Sequence, residues 1–189
     1  MKIIGILGDI GSGKSFIAKK LGYPVFNADL EINKIYKTNL KCFKKLNKSF
    51  PRYIKSFPIS KRELSNLILV SSKNLKKIGH IVHPYVQKNL KNFLLKNKNK
   101  KIVTLDIPLL LENKIEKKNF ILIFIKTKKA DVFKRLKKRK GFNKRLYDLI
   151  KKNQFKLSYK QKKSNISIRN NFNKKSLLKE IRRIKTILK

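Results

Sequence analysis

Residues 8–15 read Gly8-Asp9-Ile10-Gly11-Ser12-Gly13-Lys14-Ser15, a match to G-x-x-x-x-G-K-[ST]. Four of the chain's seven glycines fall within residues 5–13, so the clustering marks a local demand. The flanks fit that demand. Lys2–Leu7 (KIIGIL) is a short apolar, β-branched run suited to a buried strand. Phe16–Leu21 (FIAKKL) has helical character, with Ile17 and Leu21 four apart. Strand, glycine-rich turn and helix together make a phosphate cradle, or P-loop. Successive amides form an anion-binding nest, and the helix N-terminus adds the positive end of its dipole. Glycine lets that backbone approach phosphate with no Cβ in the way. In such a loop Lys14 would reach the β- and γ-phosphates of a nucleotide, and Ser15 would ligate Mg²⁺.

Working outward, the next signal is carboxylate placement. The chain holds 51 Lys+Arg and only 10 Asp+Glu, so an acid at a strand end stands out. Tyr23–Ala28 (YPVFNA) reads as a second strand with Asp29 at its C-terminal end, the edge that carries ligands in parallel sheets. Asp29 there would accept or orient the proton of a substrate hydroxyl; as a structural residue it would cap the helix that follows. Asp106 closes a third strand, Lys101–Leu105 (KIVTL), and has the position of an acid that holds Mg²⁺ downstream of a P-loop. Pro108 stops that strand, and Glu112 follows six residues after Asp106.

Phe120–Ile125 (FILIFI) reads as a buried central strand and Ile166–Ile168 as a short last one. Ser176–Leu188 carries an apolar stripe at helical spacing, with Ser176 expected as its cap. Strands alternating with helical stretches predict an α/β fold with a five-stranded parallel sheet. Residues 30–100 hold no clear strand and read as helices near 29–47, 60–72 and 83–97, bounded by Pro51, Pro58 and Pro84. This is where a second substrate would sit, and His83-Pro84 lies within it. Residues 134–164 are densely basic, and in kinases with a lid this is where arginines close over the triphosphate.

The composition sets the bounds. At 189 residues the chain is one domain in size, with room for a small insert. Its hydrophobic content of 41% supports a core. One Cys excludes an internal disulfide, and with two His it excludes a Cys/His zinc framework. No apolar run reaches the roughly 20 residues a bilayer span needs. The N-terminus is too Gly-rich for a signal peptide, so a soluble, cytoplasmic protein is expected. The formal net charge of +41 suits polyanions, but Lys, Asn and Ile dominate evenly, the pattern of A/T-rich coding. The basic residues are dispersed without aromatic interleaving, so no specific nucleic-acid partner is expected, nor a membrane one. Oligomeric state is not readable.

Nearly end to end, the chain resembles the dephospho-coenzyme A kinase family. GILGDIGSGKS (5–15) resembles that family's P-loop, and PVFNAD (24–29) its strand ending in Asp-Ala-Asp. His83-Pro84 matches its His-Pro pair, and DIPLLLEN (106–113) its Pro-Leu-Leu-x-Glu-Asn stretch. Arg135 and Arg139 match lid arginines, while Gln154 and Asn170-Asn171 fall at familiar spacings. The resemblance implies a three-layer P-loop kinase. Its core would comprise residues 1–29, 101–135 and 165–189, its helical coenzyme A-binding insert 30–100, and its lid 136–164. It implies transfer of the ATP γ-phosphoryl to the ribose 3′-hydroxyl of dephospho-coenzyme A, with Mg²⁺ as cofactor. Asp29, Lys14 and Arg135 would be the catalytic set. ATP would be held by Gly8, Asp9, Ile10, Gly11, Ser12, Gly13, Lys14, Ser15, Phe16 and Arg139. The acceptor would meet Asp29, His83, Pro84, Lys61, Pro108, Leu109 and Glu112, and the metal Ser15 and Asp106. A P-loop kinase of another small-molecule or nucleotide acceptor is the alternative reading.

Four positions depart from the family pattern. The first Asp of Asp-Ala-Asp is Asn27, two usual arginines fall at Asn33 and Lys61, and an Asp after the lid arginine is Lys140. Lysine lacks the bidentate fork of arginine. An active enzyme with weaker acceptor binding is expected.

Overall fold

The computed structural model describes residues 1–139 and 141–188, so Lys140 lies outside the described residues. In chain order the first half holds β1 (Lys2–Gly8), α1 (Lys14–Leu21), β2 (Val25–Asn27), α2 (Ala28–Thr38), α3 (Leu40–Ser49), α4 (Lys61–Val70) and α5 (Ser72–Lys96). The second half holds β3 (Ile102–Asp106), β4 (Phe120–Lys126), α6 (Lys129–Lys137), α7 (Lys144–Lys152), α8 (Leu157–Lys162), β5 (Ile166–Arg169) and α9 (Lys174–Leu188).

These elements divide into two compact units. The first comprises Met1–Asn27, Asn97–Phe142 and Gln154–Lys189, and contains the whole sheet. Its strands run in the order β2-β3-β1-β4-β5, all parallel. Parallel strands covered by helices are buried on both faces, which is why β1 and β4 read as unbroken apolar runs. Ile4 and Ile6 of β1 pack with Ile17, Ala18 and Leu21 of α1 and with Leu177, Ile181, Ile184 and Leu188 of α9. Each such fully buried isoleucine or leucine contributes about 1.5–3 kcal/mol. With β1 central, the chain first winds to β2 and β3 on one side and then to β4 and β5 on the other. A crevice at the C-terminal edge of such a sheet is the usual ligand position.

The second unit, Ala28–Lys96 with Asn143–Asn153, is helical. Its core joins Ile35, Cys42, Leu46, Phe50, Ile54, Leu67 and Val82. The single helix expected over 29–47 is two helices. Asn39 leaves helical geometry and its side chain accepts a 2.8 Å hydrogen bond from the Cys42 amide, capping α3. Pro84 is not a boundary, because α5 runs 25 residues straight through it. Proline costs that helix one donor to the preceding turn, and packing of Ile78 and Val82 outweighs the loss. Ser176 does not cap α9 either. The helix begins at Lys174, and Asn173 Oδ1 accepts from the Ser176 amide. Residues 143–153 belong to the helical unit and 154–164 to the sheet unit.

Candidate active site

The phosphate cradle is built by backbone. Gly11 and Gly13 have φ of 82° and 94°, in the left-handed region that favours glycine. A Cβ on Gly13 would also stand 2.8 Å from Asn170 Nδ2. Gly13 is the N-cap of α1 and offers no side-chain cap, so the first amides of that helix are left to other acceptors. The Ser12 amide donates to the Asp9 carbonyl at 3.1 Å, closing the turn. Lys14 folds along the loop, its Nζ donating to the carbonyls of Gly8 at 3.2 Å and Asp9 at 2.7 Å. Those bonds hold the ammonium over the cradle.

Two side chains from distant sequence brace this loop. Asn170, buried just past β5, donates from Nδ2 to the Ser12 carbonyl at 2.8 Å and accepts from the Phe172 amide at 2.8 Å. Arg135, in the last turn of α6, donates to the Gly11 carbonyl at 3.3 Å. Its guanidinium lies 5.1 Å from the centroid of the Phe172 ring, a cation–π distance. Arg135, Phe172, Phe16, Gly13 and Asn170 line a cavity of about 290 Å³ beside the cradle. A larger hollow of about 1170 Å³ lies at the other end of the strands, beside Lys2, Tyr23, Lys101 and Ile102. It carries no carboxylate and none of the cradle's residues.

The two expected metal ligands are brought together. Asp106 ends β3 and Asn27 ends β2, and the two are register partners. Asn27 Nδ2 donates to Asp106 Oδ2 and lies 3.5 Å from Ser15 Oγ. Ser15 is exposed, whereas Asp106 is buried. Arg139 is exposed in the turn after α6.

The stretch after β3 is tied inward. Pro108 and Leu109 are half-buried. Glu112 Oε1 meets Lys160 Nζ at 2.8 Å and accepts from the Phe155 amide at 2.8 Å. Lys160 of α8 is only 1% exposed. Removing one partner of such a buried pair costs about 3–5 kcal/mol. This oxygen of Glu112 therefore fastens the loop within its own unit.

In the helical unit, Asp29 is exposed in the first turn of α2, rather than acting as its cap. Lys61 is exposed at the start of α4. Ser60 and Glu63 form a capping box there. Burial alone would raise the Glu63 pKa. Hydrogen bonds from the Lys55, Ser56 and Ser60 amides and the Ser56 hydroxyl outweigh it and hold the carboxylate at about 2. His83 is half-buried and Pro84 exposed on α5. Burial, and then the neighbouring His80, hold the His83 imidazole below its ordinary pKa, so it is neutral near pH 7.

Sequence reasoning assigned no role to Asn27, Lys160 or Phe172, and for Asn170 it noted only a spacing. A polar residue closing a strand at the ligand edge is the signal that finds Asn27 and Asn170. Nothing local distinguishes Lys160 from the other cations.

A family model for dephospho-CoA kinase matches residues 2–176. The dephospho-CoA kinase of Wolbachia sp. subsp. Brugia malayi (strain TRS) is 34% identical over 187 residues, 96% of this chain and 95% of that protein. A crystal structure of a Thermus thermophilus protein superimposes with a TM-score of 0.77 at 27% identity, covering 98% of this chain and 95% of that one. The dephospho-CoA kinase from Campylobacter jejuni shares the fold, with a TM-score of 0.65 at 22% identity over 97% of this chain and 96% of its own.

Proposed function

The chain belongs to the dephospho-CoA kinase family, and on that premise we propose which residues carry each part of the reaction. The reaction is phosphorylation of the ribose 3′-hydroxyl of dephospho-CoA by ATP, giving CoA and ADP, the last step of CoA synthesis. A P-loop kinase of another acceptor is not favoured by a match that runs through residues 2–176.

One observation carries the assignment of roles: the α1 N-terminus is left without a side-chain cap, at the end of a loop along which Lys14 is folded. The amides there take the β-phosphate, and Lys14 balances charge on the transferring group. Arg135, already over the loop, adds a second cation. The cavity between Phe16, Arg135 and Phe172 is of a size and character to stack an adenine. Arg139 completes the set on ATP.

Ser15 and Asp106 supply hard oxygen donors suited to Mg²⁺. Among the described residues no group of three or more His, Cys, Asp or Glu could cage a metal. That fits an ion which takes one or two protein ligands and keeps water and substrate phosphates for the rest. When bound, Mg²⁺ neutralises charge on the β- and γ-phosphates. Asp29 orients the 3′-hydroxyl and takes its proton as the bond to phosphorus forms. His83, Pro84, Lys61, Pro108 and Leu109 contact the acceptor, and Glu112 holds the loop that carries Pro108 and Leu109. No described helix is long and apolar enough to cross a membrane, and cytoplasmic work is consistent with that.

The test is ADP formation with dephospho-CoA, AMP and shikimate as acceptors, for the native chain and Asp29→Asn. The native chain is expected to turn over dephospho-CoA alone. Asp29→Asn is expected to lose about 100-fold in kcat with ATP affinity unchanged within about twofold. Unchanged kcat would remove Asp29 from the mechanism, and turnover of another acceptor alone would discard the CoA assignment.

A further inference from the structure

We infer that Asn27 is a positioning residue of the metal–phosphate site, its carboxamide holding the Asp106 carboxylate and the Ser15 hydroxyl in one arrangement. This rests on the reading of Ser15 and Asp106 as the metal's protein ligands.

The argument begins with the register. Asn27 and Asp106 close adjacent parallel strands as partners, so their side chains leave the sheet at the same level. Asn27 Nδ2 carries two hydrogens. It donates to Asp106 Oδ2 and stands 3.5 Å from Ser15 Oγ, so a single atom addresses both donors of the metal site. Ser15 lies in the first turn of α1, while Asp106 belongs to a strand and stands 91 residues later in the chain. The Asn27 side chain reaches both.

The chemistry of the amide matters. Asp106 is 3% exposed, and a buried carboxylate needs donors to stay oriented. An amide donates and carries no charge. A carboxylate at position 27 would accept only, and would set a second negative charge against Asp106 where the hydrogen bond now lies. Asn27 thus keeps the site at one carboxylate with a fixed rotamer, and leaves Asp106 Oδ1 for the ion or its water. The departure from Asp-Ala-Asp is a functional arrangement of this chain.

The test is calorimetric titration of Mg²⁺ and Ca²⁺ into the ADP-bound protein, with ADP binding in EDTA measured alongside. Asn27→Leu removes the donor at similar volume. It is expected to weaken Mg²⁺ by about 10- to 100-fold, the usual cost of losing an outer hydrogen bond to a metal ligand. Metal-free ADP affinity should stay within about twofold. Asn27→Asp keeps the shape and serves if the leucine variant does not fold. It is expected to shift preference severalfold toward Ca²⁺, which takes more carboxylate oxygens. Mg²⁺ and Ca²⁺ constants unchanged in both variants would overturn the inference. So would an equal loss of ADP affinity with and without metal, which would make Asn27 a general support of the loop. Asp106→Asn separates the two levels. If it weakens Mg²⁺ while the Asn27 variants do not, this inference alone fails; if it leaves Mg²⁺ unchanged, the ligand assignment fails and the inference with it.

Discussion

The sheet unit and the helical unit hold their expected site residues in opposite ways. In the sheet unit several of the residues around the cradle are pinned. Lys14 is tied to two carbonyls, Asp106 to Asn27, and the loop itself to Asn170 and Arg135. In the helical unit Asp29 and Lys61 are exposed, and His83 is half-buried. Of the departures that the resemblance implies, Asn33 and Lys61 lie in the helical unit and Asn27 in the sheet unit. Asn27 donates a hydrogen bond to Asp106. Phosphate chemistry requires preorganised donors, so its residues are fixed from several elements. Asp29 and Lys61, which we propose meet the acceptor, stand at the surface instead.

Substitution can break this contrast. The largest effect is expected from Lys14→Ala. Loss of the cation on the transferring phosphoryl should lower kcat by about 100- to 1000-fold with any acceptor. Steady-state ADP formation reads this, and a normal rate would dismiss the P-loop assignment. A smaller and opposite effect is expected from Lys61→Arg in the helical unit. If Lys61 meets an acceptor phosphate, the bidentate fork should lower the KM for dephospho-CoA by about 2- to 10-fold and leave kcat alone. An unchanged KM would take Lys61 out of the acceptor site.

The smallest effect concerns the helical unit's stability in acid. Glu63 is held at about 2 in the folded chain, below its unfolded value of roughly 4.3. A depressed carboxylate stabilises fully above the unfolded value, and its contribution is lost as pH falls toward the folded one. Glu63→Gln should therefore cost about 1 kcal/mol, the worth of a cap, at pH 7 and close to nothing near pH 2. Urea unfolding followed at the two pH values measures it, and an equal cost at both would show that charge plays no part.

How far the molecule could be read from sequence tracks the range of the forces involved. The P-loop was legible because glycine geometry and a helix N-terminus are local. The strands were legible because burial on both faces leaves an apolar run. Asn39 and Pro84 misled, since a cap and the packing of a long helix decide their effect, and neither shows in an apolar pattern. Asn27 and Asp106 are 79 residues apart, and only strand order makes them partners. Lys160 was hidden by number: in a chain with 51 Lys+Arg, the one that is buried against Glu112 looks like its neighbours.

Cys42, the chain's one cysteine, is fully enclosed in the helical unit's core. Burial raises its thiol to about 11, with Lys45 pulling weakly the other way. Such a sulfhydryl is inert to alkylating reagents until the helices around it open. Its rate of labelling therefore reports the opening of that unit alone, a built-in clock that needs no engineered probe. Run with and without dephospho-CoA, the clock separates an acceptor that steadies the helices from one that leaves them as they are.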